Sequence, residues 1–175
     1  DDSTPNIKLI VATSTPGQYS ITCANATGVY QFSSVFAAPA ADTKMFVYID
    51  GSASTYGATI TRYAGSGNLT GLDIRASTTI VRSETATSID TQDFGYWENA
   101  QDSDIPWEVT GQGITFEQDT KLWINTGDTF AASSTASTTP GGVFARGGDV
   151  QIDGTLNMGT NALTVGGNLM HFGTL

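Results

Sequence analysis

Five acidic side chains crowd into one short part of the chain, residues 90–104, referred to below as the acidic stretch. They are Asp90, Asp93, Glu98, Asp102 and Asp104. Carboxylate oxygens on a loop are the ligands that Ca²⁺ prefers in proteins. The sequence therefore suggests calcium as its one candidate cofactor. The spacing does not match the EF-hand loop, so the same residues also fit an acidic loop that is simply solvated.

Three large aromatic residues accompany these acids. Tyr96 and Trp97 lie inside the acidic stretch, and Trp107 follows it closely. Exposed aromatic faces can bind sugar rings, which makes these three residues the candidate site of a glycan-binding module. Large aromatics more commonly bury themselves, in which case the same residues would plug a junction between two parts of the fold.

The residue types that hydrolytic enzymes need are scarce. His171 is the one histidine, and no Gly-x-Ser-x-Gly elbow is present. Carboxylate pairs within the acidic stretch would suit glycoside hydrolysis if they flanked a sugar cleft. A lyase would also need basic residues beside the acids, and Lys121 and Arg146 are the cations of the C-terminal half. We therefore predict that the protein is not an enzyme.

Composition narrows the possible partners and location. The formal net charge is −10 and charged residues make up 14% of the chain. Nucleic acid is not an expected partner, because binding it requires a basic face. No apolar run approaches the length of about 18 residues that a membrane span requires. A low charge content with abundant Ser, Thr and Gly is typical of a secreted β-protein, so we expect an extracellular or cell-surface location.

Short segments that alternate apolar and polar residues must position these side chains. Before residue 88 they recur at spacings of roughly ten residues, which is typical of a β-sandwich. No amphipathic helix is evident, although Thr91 is a candidate cap for one helical turn. The sequence predicts an all-β fold in three parts. They are an immunoglobulin-like β-sandwich over residues 1–88, an acidic and aromatic junction loop over 89–112, and a β-solenoid-like segment over 113–175.

The solenoid prediction depends on an internal repeat. Gly147-Gly148-Asp149-Val150 recurs nineteen residues later as Gly166-Gly167-Asn168-Leu169, and Gly154-Thr155-Leu156 recurs as Gly173-Thr174-Leu175. A fixed short period is the mark of stacked units. One such unit cannot bury its own apolar face, so each needs a neighbour above and below. Under the same offset His171 aligns with Ile152, which the alternation places inside.

The last repeat is expected to be an assembly surface. Residues 162–175 contain no Lys, Arg, Glu, Asp or Pro, the residues that usually block an exposed strand edge. The apolar N-terminal strand of another copy could pair there, and contacts of this head-to-tail kind grow into filaments. Alternatively, more solenoid of the same protein follows. The assembly residues predicted in this way are Ile7, Leu9, Val11, Leu169 and Leu175.

Several segments together resemble a module of very large surface proteins from uncultured, small-genome bacteria. They cover roughly residues 44–175, and the most specific is Asp102-Ser103-Asp104-Ile105-Pro106-Trp107. The others are 47–51, 68–73, 80–82, 119–124 and 127–130. The tail, Leu163-Thr164-Val165-Gly166-Gly167-Asn168-Leu169, resembles the rungs of haemagglutinin-like β-solenoids. The resemblance implies a cell-surface or filament component and carries no catalytic residues.

The leading functional prediction is an extracellular structural protein. It would be a subunit of a surface filament or a segment of a long adhesin, and it would assemble by strand pairing at its ends. Its partners would be copies of itself or further solenoid of the same protein. The alternative is a glycan-binding module of a secreted surface protein.

Overall fold

The computed structural model describes residues 6–12, 17–22, 29–32, 39–52, 55–111, 113–117, 120–132, 142–145 and 148–175. These residues form β-strands and one four-residue helix, α1 (Thr91–Phe94), which confirms the all-β prediction. None of the described helices has the length and apolar character needed to cross a membrane. The strands are β1 (Asn6–Val11), β2 (Gly17–Thr22), β3 (Lys44–Asp50), β4 (Ala58–Arg62), β5 (Thr78–Val81), β6 (Ile89–Asp90), β7 (Trp107–Thr110), β8 (Gly113–Phe116), β9 (Lys121–Ile124), β10 (Thr129–Ala131), β11 (Gly142–Ala145), β12 (Val150–Ile152), β13 (Thr155–Asn157), β14 (Ala162–Val165) and β15 (Leu169–His171).

The strands form three sheets that the chain visits in turn. The large sheet has the order β15-β12-β9-β5-β4-β3-β1-β2, and the smaller ones have the orders β13-β10-β6 and β14-β11-β8-β7. Neighbouring strands are parallel through most of these sheets. In sheet order, the parallel runs are β4-β5-β9-β12-β15, β6-β10-β13 and β8-β11-β14. We call each circuit of the three sheets a coil. The first coil is β5, β6 and β8; the second is β9, β10 and β11; the third is β12, β13 and β14; and β15 opens the fourth.

Alternation within each strand places one row of side chains inside the coils. In β12, Val150 and Ile152 are fully buried while Gln151 between them is not. Strand pairing aligns the inward-facing positions of successive coils into rows, because identical faces of parallel strands stack. One row of the large sheet is Thr79, Leu122, Val150 and Leu169, and the next is Val81, Ile124, Ile152 and His171. His171 therefore lies in register with Ile152, nineteen residues earlier, as the repeat predicts.

The repeated glycines lie where coils approach each other most closely. A Cβ atom on Gly154 would lie 2.3 Å from the carbonyl oxygens of both Asn125 and Asp128 in the coil before it. A Cβ atom on Gly173 would in turn lie 1.9 Å from the carbonyl oxygen of Gly154. Backbone atoms that are hydrogen-bonded into the stack cannot move aside. The repeat in the sequence is therefore required by the stacking of one corner on the next.

We predict that Gly154→Ala destabilises the protein by about 2–4 kcal/mol, because its methyl group has no space between two backbone carbonyls. Thermal unfolding followed by circular dichroism measures the change. Gly95→Ala is the matched control. Gly95 has ordinary right-handed φ and ψ angles, and the atom nearest its added methyl is a Val109 side-chain carbon at 3.4 Å. Equal losses in the two variants would contradict the stacking explanation.

The N-terminal strands extend the large sheet beyond the first coil. β4 pairs with β5 in parallel, and β3, β1 and β2 then continue the sheet in antiparallel fashion. The inner face of this extension carries Ile10, Phe46 and Tyr48, which belong to the same buried core as the coils. The interior of the coils thus continues into the N-terminal part without a break.

Aromatic rings fill the interior at this N-terminal end. Phe94 of α1 packs edge-on against Trp107, Phe116 and Phe130, with ring centroids 5.2, 5.7 and 5.4 Å away. The Trp107 indole N–H donates to the backbone carbonyls of Phe94 and Trp97, each at 3.1 Å. Burying the indole therefore leaves no unpaired donor. These rings close the N-terminal end of the coils with an apolar plug.

The separate immunoglobulin-like sandwich is not confirmed. Strands β1 to β4 form an antiparallel extension of the large sheet. Strand β5 belongs to the coils, because it pairs with β9 across the predicted boundary at residue 88. The outer face of β1 and β3 is covered by Tyr30, Phe32, Leu69, Leu72 and Ile74 rather than by a second described sheet. Alternation shows that a strand is half-buried, but it does not show whether the strand pairs with its sequence neighbour or with one that returns much later.

Candidate functional site

The acidic stretch is divided among separate structural roles. Asp90 is the N-cap of α1: its carboxylate accepts from the Asp93 backbone N–H at 2.9 Å, and the Asp93 carboxylate accepts from the Asp90 N–H at 3.0 Å. This reciprocal pair is a capping box. The cap is thus Asp90, one residue before the predicted Thr91, because Asp90 has the extended backbone that a cap requires.

Asp93 is fully buried and neutralised by two cations. Its carboxylate accepts from the Arg62 guanidinium at 2.8 and 2.9 Å and pairs with the Lys44 ammonium at 2.8 Å. A buried carboxylate is tolerated only with such compensation. Asp93 therefore ties the helix to β3 and β4 and is not available as a ligand for an external ion. Glu98 has a local role as well, since its carboxylate accepts from the Val109 backbone N–H.

Asp102 and Asp104 meet a third acid that the sequence analysis did not include. Their carboxylates lie with that of Asp50 in a group whose oxygen atoms are all within 4.8 Å of one another. Asp50 ends β3, and the next residue, Gly51, donates its backbone N–H to Asp104 at 2.7 Å. Lys8 of β1 reaches into this group and lies 2.8 Å from Asp50 and 2.9 Å from Asp102. We call these four residues the Lys8 cluster.

Tyr48 supports the Lys8 cluster from the interior. Its side chain is buried beside Lys8, its register partner on β1, and its hydroxyl donates to Asp102 at 2.8 Å. The Asp104 backbone N–H donates to the other Asp102 oxygen at 3.1 Å. The acidic stretch is thus fastened to β1 and β3, and the Lys8 cluster forms the polar part of the closure at the N-terminal end.

The charges of the cluster shift its pKa values in complementary directions. Burial alone would lower the pKa of Lys8, but hydrogen bonds and charges from Asp50 and Asp102 outweigh it, so that pKa is raised. Burial alone would raise the pKa of Asp102, but the Lys8 ammonium, the Asp104 N–H and the Tyr48 hydroxyl hold it below its usual range. Burial, with help from Asp102, raises the pKa of the Tyr48 hydroxyl. The charged Lys8–Asp102 pair is therefore the favoured state at neutral pH.

The five predicted calcium ligands do not converge on one point. Asp90, Asp93 and Glu98 are engaged elsewhere, which leaves Asp102 and Asp104 with Asp50. Oxygen ligands grouped in this way suit Ca²⁺, but Lys8 already provides the counter-charge for two of the three carboxylates. Calcium binding at this position stays a prediction. Asp50 lies far from the acidic stretch in the sequence, and only the fold brings it to Asp102 and Asp104.

The predicted aromatic platform is not an exposed surface. Trp107 is fully buried and Phe94 packs against it, so its ring cannot contact a sugar. Tyr96 and Trp97 are half-buried and pack against the same core. The three aromatics therefore pack against the core, as the alternative expected, but the described strands form no separate sandwich and so no junction for them to plug.

The opposite end of the coils is open among the described residues. β15 and β14 are the outer strands of their sheets. In the sheet of β13, Thr174 forms a single parallel bridge with Thr155, where a further strand would begin. Leu169, Phe172 and Leu175 are 46, 75 and 57% exposed. The large sheet therefore ends at β15 of the fourth coil and the sheet of β14 ends at the third, and neither outer strand has a further strand beside it within the described chain.

The N-terminal assembly residues are in a different situation. Ile7, Leu9 and Val11 are buried, and β1 is paired on one side with β2 and on the other with β3. A strand that already has two partners can join another copy only by leaving its own sheet. The two surfaces predicted to meet are therefore not equally available.

No protein-family model matches the chain, and no curated protein or solved structure matches it either.

We predict that Lys8→Met destabilises the protein by about 1–2 kcal/mol at neutral pH, because the carboxylates of Asp50 and Asp102 then lose their counter-charge in a partly exposed setting. The raised Lys8 pKa gives stability below about pH 10, and the lowered Asp102 pKa gives stability above about pH 4. The difference from the wild type should therefore be largest between these values and should shrink as the pH falls below about 4.

Melting temperatures of both proteins across this pH range measure the effect. Lys121→Met is the control, because it removes the same charge away from the Lys8 cluster. A difference between wild type and Lys8→Met that does not change with pH would show that the ion pairs contribute nothing.

Proposed function

We propose that the chain is the capped end of an extracellular β-solenoid with a structural role, as part of a surface filament or a long adhesin. The observation that carries the proposal is the difference between its two ends. One end is closed by the aromatic plug and the Lys8 cluster. At the other end, the outer parallel strands β14 and β15 have no further strand beside them in the described chain, and apolar side chains are exposed.

The open end is suited to a further parallel coil. Val150 pairs with Leu169 and Thr155 with Thr174, so the third coil already serves as the template for the fourth. Asp149 accepts from the Asn168 backbone N–H at 2.7 Å and from its side-chain amide at 3.1 Å, which locks the corner of one coil onto the next. Another coil would bury Leu169 in the interior row and pair the unpaired backbone groups.

The closed end explains why we favour continuation by further coils over donation of the N-terminal strand. In a head-to-tail stack of copies, the open ladders of one copy would meet the plug of the next, where β1 is already paired on both sides. Moving β1 would also separate Lys8 from Asp102 and Asp50. Growth in one direction from a capped start avoids both costs.

The proposed location and structural role are supported by the same features. Within the described residues, the ion pairs of Lys8 with Asp50 and Asp102, and of Asp93 with Lys44 and Arg62, hold the closed end together. A solenoid with a capped start is a way to build a long, stiff stalk from short repeats. The low charge content and the richness in Ser, Thr and Gly suit such a stalk outside the cell.

We predict that the coil is a modular unit. A second copy of residues 150–168, inserted between Asn168 and Leu169, should fold as an additional coil and raise the melting temperature by several degrees, because each added interface in a repeat protein contributes to stability. The β-signal in circular dichroism should rise in proportion to chain length. Thermal unfolding should remain a single transition.

The control is the same insert with Gln151 of the added copy deleted. The loss of one residue inverts which side chains face inward from that point onwards, so this variant should gain no stability. If the in-register insert is no more stable than this control, the coil is not a stacking unit and the proposal fails. If the unmodified chain polymerises by itself through the open end, other copies rather than further coils would be its natural partner.

A further inference from the structure

A polar cleft lies on the outer face of the large sheet, away from both ends. Its volume is about 400 Å³, and its floor is formed by Thr59, Ile80 and Trp123, which are register partners on β4, β5 and β9. One wall includes Gly71 and Asp73 from the loop before β5, and the other is the turn at 125–128. This size falls within the range of about 300–1,000 Å³ that is common for small-ligand sites.

The aromatic ring in the floor is held in a fixed orientation. The Trp123 indole N–H donates to the Asp153 carboxylate at 2.8 Å, and the Arg75 guanidinium lies 4.3 Å from the ring centroid. Asp153 is itself fixed by the Gln151 side-chain amide at 2.8 Å. A ring that is already positioned loses little entropy when it contacts a ligand.

Polar groups of the walls are also positioned in advance. The Asp128 carboxylate accepts from the Ser83 backbone N–H at 2.9 Å and from the Asn125 side-chain amide at 3.0 Å. The Arg82 guanidinium donates to the Thr70 and Gly71 carbonyls at 2.7 and 2.5 Å and pairs with Glu84. Carboxylate and amide groups set around an aromatic ring provide both the acceptors and the apolar surface that a sugar requires.

The charges of the cleft select among sugars. Four carboxylates lie in or beside the cleft, those of Asp73, Glu84, Asp128 and Asp153. Three cations face them: Arg82, which pairs with Glu84, and Arg75 and Lys121, which lie beside the Trp123 ring. The balance is negative, so an acidic sugar is disfavoured relative to a neutral one. A neutral pyranose with equatorial hydroxyls offers a flat C–H face for the ring and hydroxyl donors for the carboxylates.

We propose that this cleft binds a neutral oligosaccharide through its glucose-type units, stacked on Trp123 and hydrogen-bonded to Asp73. The site is independent of how the coils are continued. It also places glycan recognition on the side of the stack rather than at the junction of Tyr96, Trp97 and Trp107.

Amide chemical-shift mapping of the full chain with cellohexaose and chitohexaose tests the proposal, with a hexamer of galacturonic acid as the acidic comparison. Saturable shifts are expected around residues 70–75, 80–83 and 123–128 with at least one neutral hexamer, and none with the acidic one. Asp73→Asn should weaken binding about tenfold, because a neutral amide oxygen replaces the charged acceptor and a stronger hydrogen bond becomes an ordinary one. Trp123→Leu should abolish it.

Glu108→Gln, which removes an exposed carboxylate on β7, is the matched control and should bind like the wild type. The circular dichroism spectrum of each variant confirms that it is folded. The absence of saturable shifts with both neutral hexamers would overturn the proposal, as would shifts confined to other surfaces. Equal binding of the acidic hexamer, or undiminished binding by a folded Trp123→Leu variant, would overturn it as well.

Discussion

Close backbone contact between successive coils is the constraint on which the rest of the structure depends. Parallel ladders require each coil to repeat the path of the one before it, corner for corner. At the corners the chains come so close that a Cβ atom on Gly154 would lie 2.3 Å from the Asn125 carbonyl oxygen, and one on Gly173 would lie 1.9 Å from the Gly154 oxygen. Glycine at these positions allows the strands between them to pair in register. That register then places Val150 over Leu122 and Ile152 over Ile124 in one continuous core.

A stack built in this way has two ends, and each end leaves a row of backbone groups without a partner. At the N-terminal end the outer strands are β2, β6 and β7, and side chains of different kinds close the interior beside them. Phe94 and Trp107 fill the interior, and Asp93 and Asp102 fasten the closing segment to Arg62, Lys44 and Lys8. The C-terminal end of the described chain lacks any such device. This asymmetry is what makes a directional, structural role the best-supported proposal.

The features that sequence reasoning could predict are those with a local period. The alternation and the 19-residue repeat predicted strands and stacked units, and the pairing of Ile152 with His171 agrees with that spacing. The arrangement of the N-terminal strands was not predictable in the same way. Their alternation fits a sandwich as well as an extension of the coil sheet, and only the long-range pairing of β5 with β9 distinguishes the two.

The candidate site shows the same division between local and long-range information. The acids of residues 90–104 are neighbours in sequence, yet Asp93 pairs with Arg62 while Asp102 pairs with Lys8. Their partners lie on strands far away in the chain, and no spacing rule connects them. The position of Trp107 was open for a similar reason, because an aromatic residue can fill a core or form a platform and only its neighbours decide which. No sequence pattern marks Trp123 as a binding residue, because its cleft is formed by segments that only the sheet brings together.

Amide hydrogen exchange in the native monomer tests the central claim, a stack capped at its N-terminal end and open at the other, most directly. Exchange is slow where backbone hydrogen bonds are buried and stable, and fast where the backbone is unpaired or frays. The account predicts strong protection in β1 and in the strands of the second coil, and progressively weaker protection through β14 and β15. Weak protection of β1 would show that the N-terminal strand is free to leave its sheet. Either that result or strong protection through residues 169–174 would contradict the account.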